Sequence, residues 1–247
     1  MKIIISPAKK MKEDIDSLPI QGLPQFLECT EEILEQLRSM SYEELRKLWG
    51  CSDQLTELNM KRLQTMDLRK AQTPAIFSYE GIQYQHMAPR VCTQRELDYL
   101  QEHLRILSGF YGVLRPFDAV TPYRLEMQAK LTVGKAKNLY SYWNKNIYDA
   151  VSDGEDCILN LASKEYSMCV SKHLKPQIPF ITCVFAERKG EKLIEKGTMC
   201  KMARGEMVRF LATQQITKLE DVKYFAELQY RFSKEDSTGE TYVFLKK

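Results

Sequence analysis

Three consecutive isoleucines, Ile3-Ile4-Ile5, broken off by Ser6-Pro7-Ala8-Lys9-Lys10-Met11, constrain the fold more than any other stretch of the chain. A β-branched run closed by a proline predicts a buried strand. A polar, cationic turn just beyond the carboxyl end of such a strand lies where open α/β sheets gather ligands. Pro7 withholds one backbone donor and fixes its own φ, so Ser6 and Lys9 are expected in a defined relation. The adjacent Lys9 and Lys10 favour an anionic partner, most simply a phosphate.

Downstream the pattern is helical first and mixed later. After Pro24, residues Phe26, Leu27, Ile33, Leu34 and Leu37 recur at helical spacing. Ser41 and Glu44 form a capping box for a helix that Gly50 ends, and a third amphipathic stretch runs from Ser52 to Met66. From Ala75 the apolar runs shorten. Ala75-Ile76-Phe77 and residues 157–161, 180–185 and 242–245 are predicted strands, and Thr93 with Glu96 caps a helix through Leu97, Leu100 and Leu104. No repeat, low-complexity tract or Pro/Gly-rich linker interrupts the chain, so one α/β (mixed α+β) domain over 1–247 is expected.

Charge bears on the partner. Thirty-six Lys and Arg against 33 Asp and Glu leave a net charge of +3, so any basic surface must be local. No apolar stretch approaches 18 residues and no signal-peptide pattern precedes the first strand, which predicts a cytoplasmic location away from membranes. Seven scattered cysteines without a CxxC pair read as reduced thiols. His86, His103 and His173 stand at no metal-ligand spacing, so neither a metal nor a cofactor is expected.

Four segments carry the candidate chemistry. The first is the turn at Ser6, Lys9 and Lys10. The second is Leu107-Ser108-Gly109-Phe110-Tyr111-Gly112-Val113-Leu114-Arg115-Pro116, followed by Pro122-Tyr123-Arg124-Leu125-Glu126-Met127. Its Gly109/Gly112 pair permits close backbone approach to a phosphate that Arg115 and Arg124 could complete. The same pair reads equally as a tight turn with a core-packed Tyr111. It resembles a helix-hairpin-helix, although two residues separate the glycines where that motif usually has one and Pro116 would interrupt the second helix. The third is Asn160-Leu161-Ala162-Ser163-Lys164-Glu165-Tyr166, where Ser163 caps a short helix and Lys164 calls for a nearby anion or is simply solvated. In the fourth, Lys201 and Arg204 share one helix face while Ala203, Met207, Phe210 and Leu211 form an apolar stripe.

Together these segments, with Leu104-Arg105-Ile106 leading into the second and Gly205 closing the fourth, resemble the YaaA peroxide stress protein family across nearly the whole chain. The resemblance implies a bacterial cytoplasmic protein that binds DNA without evident sequence preference and limits the damage done when peroxide meets intracellular iron. It also implies a central mixed sheet flanked by helices, a helix-hairpin-helix-like element and a positively charged cleft. Two positions depart from the family pattern: His86 stands where a glycine is usual, and so does Gln229.

The preferred expectation is a binding module. Lys9, Lys10, Arg115, Arg124, Lys164, Lys201 and Arg204 would neutralise phosphates of double-stranded or structured DNA, with Ser6, Gly109, Gly112 and Ser163 adding hydroxyl or amide donors. The alternative is an enzyme acting on a nucleic acid or nucleotide by group transfer or glycosidic-bond chemistry, with Lys9 as nucleophile and Glu126 as general acid or base. A third is a peroxide sensor at Cys200, whose neighbour Lys201 would favour thiolate.

Overall fold

The computed structural model describes residues 1–247. Its first strand, β1 (Lys2–Ile5), places Ile3, Ile4 and Ile5 at zero exposure, so both faces of the strand are covered. Such a strand is stable only between neighbours, and parallel sheets supply that setting. The neighbours are β2 (Leu104–Ser108), with Ile3 opposite Leu104, and β4 (Ile158–Leu161), with Ile3 opposite Leu159. β3 (Gly112–Leu114) folds back antiparallel on β2. Beyond β4 come β5 (Phe180–Lys189), its hairpin partner β6 (Lys192–Ile194), then β7 (Tyr230–Ser233) and β8 (Thr241–Lys246). The sheet order is β7-β8-β5-β4-β1-β2-β3, with β6 on β5: five parallel central strands with antiparallel pairs at the rims. The expected strands at 157–161, 180–185 and 242–245 are therefore present.

Helices flank this sheet. The capping box at Ser41 and Glu44 opens α2 (Tyr42–Trp49), and Gly50 ends it at φ +53. α1 (Leu27–Arg38) and α3 (Asp53–Thr65) lie to either side in sequence. Further along come α4 (Ile82–Met87), α5 (Gln94–His103) with its own capping box at Thr93 and Glu96, α6 (Lys164–Ser171) and α7 (Gly197–Gln214). One continuous hydrophobic core joins these elements from Met1 to Phe244. No helix is long and apolar enough to cross a membrane.

Two expected elements take other forms. Ala75-Ile76-Phe77 is a buried helical turn (Ala75–Ser78), because the Ala75 and Ile76 amides donate to the carbonyls of Asp118 and Pro116 instead of to a strand. A three-residue apolar run carries too little periodicity to separate the two outcomes. The segment 107–116 is a β-hairpin, not a helix-hairpin-helix. Ser108 Oγ accepts the amides of Phe110 and Tyr111 at 3.1 and 2.9 Å, Gly112 takes φ +73, and the flanking apolar residues pair as β2 and β3. The turn amides are thus consumed internally.

Candidate functional site

The chain runs from β1 to β2 on one side of the sheet and from β4 to β5 on the other, so the winding reverses between β1 and β4. Connections that diverge at such a point leave a crevice at the carboxyl ends of the strands. Ser6 follows β1 and Ser163 follows β4, and the two are joined there. The Ser163 amide donates to Ser6 Oγ at 2.8 Å, and Ser6 Oγ donates to Ser163 Oγ at 3.2 Å. Ser163 stands at the N-cap of α6 yet makes no side-chain cap bond, because its hydroxyl is turned to Ser6. Tyr84 Oη donates to the Ser6 carbonyl at 3.0 Å and anchors α4 against the same turn.

The crevice is a cavity of about 540 Å³ that brings together Ser6, Lys9, Lys10, Arg124, Ser163, Lys201 and Arg204, together with Glu126. Five cations face three carboxylates, Glu80, Glu126 and Glu165, leaving the cavity locally positive in an almost balanced molecule. Lys9 Nζ lies 2.8 Å from Glu126 Oε1, Lys10 Nζ 2.9 Å from Glu80 Oε2, and Arg124 Nη2 3.7 Å from Glu126 Oε1. Lys9 is 66% exposed and Lys10 79%. Exposed pairs of this kind contribute no more than about 1 kcal/mol, so an incoming anion can exchange for the carboxylate. The Nε–H groups of Arg124 and Arg204 are buried with no partner, and a buried donor left unpaired costs free energy that a ligand oxygen would return.

Burial sets the protonation of the walls. It pushes the Glu165 carboxyl above its usual range against the opposing Gln128 amide, and the nearby Glu126 adds to the rise. The same desolvation lifts the hydroxyls of Tyr84, Tyr123 and Tyr166 well above the ordinary phenol value, so all three line the cavity as neutral groups. Tyr123 Oη is held by Ser108 Oγ at 2.6 Å and Tyr79 Oη at 2.8 Å, which ties the cavity wall to the β2–β3 hairpin.

Four residues expected at the site line other parts of the molecule. Gly109 and Gly112 are buried: a Cβ on Gly109 would stand 2.8 Å from the Leu125 carbonyl oxygen, and one on Gly112 2.9 Å from the Trp143 ring. Gly109 therefore supports the cavity wall from behind and offers no free surface to a ligand. Arg115 is turned to buried Asp118, whose carboxylate accepts both the Arg115 amide at 2.8 Å and Nε at 3.0 Å. Lys164 is exposed and lines no part of the cavity, since the turn of α6 that faces inward presents Glu165 and Tyr166.

Gln83 escaped sequence reasoning. It is buried, lines the cavity, and its side-chain N–H₂ group has no partner. Nothing in the local pattern around Ile82 marks it, but Gly205 was a signal in principle. A Cβ there would collide with the Gln83 carbonyl oxygen and stand 2.9 Å from the Met87 nitrogen, so α7 and α4 touch backbone to backbone. The histidine at 86 is accommodated because Gly205 supplies the close approach from the opposite helix, and its Nδ1 meets Glu206 Oε1 at 2.8 Å. Cys200 does not suit the peroxide-sensor alternative. Burial raises its thiol, Glu195 adds to the rise against Arg204, and Sγ donates to the Phe185 carbonyl at 3.3 Å. That environment disfavours thiolate.

A family profile described as peroxide stress protein YaaA matches residues 1–236. A UPF0246 protein of Lachnoclostridium phytofermentans is 52% identical over 246 residues, covering 100% of this chain and 96% of the relative. A UPF0246 protein of Agathobacter rectalis is 52% identical over 247 residues, covering 100% and 99%, and one of Lactiplantibacillus plantarum is 49% identical over 245 residues, covering 99% of each. The chain is a member of the peroxide stress protein YaaA (UPF0246) family.

Proposed function

We propose that the cavity binds the phosphate backbone of DNA, largely without reading base sequence, and that this binding serves the peroxide stress role of the family. The observation that carries the reading is the convergence of Arg124 and Arg204 on one cavity with Lys9, Lys10 and Lys201, each arginine holding a buried, unpartnered Nε–H. Guanidinium groups match phosphate oxygens in geometry as well as charge. Backbone contacts of this type position a strand without specifying bases.

Titration of labelled single-stranded, duplex and four-way-junction DNA across a salt series tests it. With five cations engaged by one strand, log affinity should fall against log salt with a slope near −3.5, at about −0.7 per neutralised phosphate. Arg124→Ala and Arg204→Ala should each weaken binding and flatten the slope by roughly one contact, whereas Lys164→Ala and Arg115→Ala should leave both unchanged. A salt-independent affinity, or equal losses from all four variants, would overturn the reading.

An enzymatic reading is favoured by one feature: the Lys9–Glu126 pair, 2.8 Å apart, sits at a cavity whose volume is that of a small-molecule site. Lys9, after passing its proton to Glu126, would attack the sugar carbon of a glycosidic bond; the new C–N bond forms as the bond to the base breaks, and Glu126 returns the proton to the departing base. A covalent adduct trapped at Lys9 would establish it; DNA recovered unaltered, with no adduct, would remove it.

A further inference from the structure

The cavity does not end at the Lys9–Glu126 pair. A second recess of about 830 Å³ lies on its other side, and Lys9, Arg124 and Glu126 line both. The far wall comes from the carboxyl end of α2 and from the segment after Met127, contributing Lys47, Trp49 and Lys130. Lys47 and Lys130 are exposed, and with Lys9 and Arg124 they outnumber Glu44 and Glu126, so the recess is positive like the cavity it adjoins. Trp49 is 5% exposed, and its indole N–H is buried without a partner. A dry, unpaired indole N–H carries a desolvation cost, and Trp49 lines the recess.

We infer that the recess is a second subsite for the same ligand. An unpaired strand several nucleotides long would run from the inner cavity across the Lys9–Glu126–Arg124 cluster, its flanking phosphates meeting Lys47 and Lys130. This rests on the phosphate-binding reading above. The size of the two spaces selects the ligand: each is on the scale of a small-molecule site, suited to single nucleotides in succession, and too small to admit a duplex. Positive grooves that follow one backbone are how single strands are held without sequence preference.

The test compares the dinucleotide pdTdT, the twelve-nucleotide strand dT12 and a twelve-base-pair duplex, using the wild type and the Lys47→Ala/Lys130→Ala double variant. Both lysines are exposed, so the variant should fold. At about 0.1 M salt the variant should bind dT12 about 25-fold more weakly, with a salt slope shallower by about 1.4, from about 0.7 per single-strand contact. Its affinity for pdTdT should be unchanged. A Lys192→Ala/Lys218→Ala control, at exposed positions lining neither space, should match the wild type. Undiminished dT12 binding by the double variant overturns the second subsite and leaves the inner one standing. An equal loss on pdTdT, or a loss confined to a twelve-base-pair duplex, also overturns it. A wild type that binds none of these nucleic acids overturns both.

Discussion

Gln229 carries backbone strain at the start of β7. It takes φ +66 directly after Leu228 at φ +51, and only glycine occupies the left-handed region without steric cost. A glycine at this position would be free of that cost. Gln229 is exposed, so its side chain forfeits little packing if removed. Relief of roughly 1–2 kcal/mol of left-handed strain should exceed the roughly 0.5–1 kcal/mol of added unfolded-state entropy. Gln229→Gly is thus expected to stabilise by up to about 1 kcal/mol and raise Tm by about 2–4 °C. Differential scanning calorimetry checks it, and an unchanged or lowered Tm would show the strain to be absent. At the cavity the arginines and lysines divide similarly by environment: Arg124 is 14% exposed and Lys9 66%, so the first is positioned before any ligand arrives and the second is free to change partners.

Among the elements, the α4–α7 contact matters most to the site, since α4 carries Gln83 and Tyr84 and α7 carries Lys201 and Arg204. Alanine at Gly205 would gain about 1 kcal/mol of helix propensity. Overpacking costs typically 1–3 kcal/mol, and here the obstacle is backbone, which cannot rotate aside. Gly205→Ala should therefore destabilise, lowering the urea midpoint, and should weaken DNA binding by spreading the two helices. A midpoint that rises would refute the close approach. The β2–β3 hairpin plays a quieter part, holding the 125–127 segment against Gly109 and Tyr123 against Ser108.

Across the whole molecule, a net charge of +3 conceals a local concentration: five cations meet three carboxylates at the strand ends. Glu165 makes this concentration pH-dependent. Its carboxyl is raised by burial, so as pH falls it takes up a proton before an ordinary carboxylate would, and the cavity gains one positive charge. DNA affinity should rise as pH is lowered from 7 through the mildly acidic range, and Glu165→Gln should remove that increment while keeping the oxygen that accepts the Gln128 amide. Binding isotherms over the pH series decide it; an identical rise in the variant would assign the effect elsewhere. The sequence by itself determined the buried first strand, the two capping boxes, the late strands and the shared face of Lys201 and Arg204, because each follows from local periodicity or from a side chain bonding its own backbone. Of the two readings of residues 107–116, the tight turn with a core-packed Tyr111 is the one that forms; its strand pairing and the helical turn at 75–78 were not legible, because short apolar runs take the form their distant partners impose. Only the tertiary structure decided that Arg124 and Arg204 enter the cavity while Arg115 and Lys164 do not, and that Gln83 belongs to it. Membership of a site depends on which way a side chain leaves its element and on what lies opposite, and both are set by packing between segments far apart in the chain.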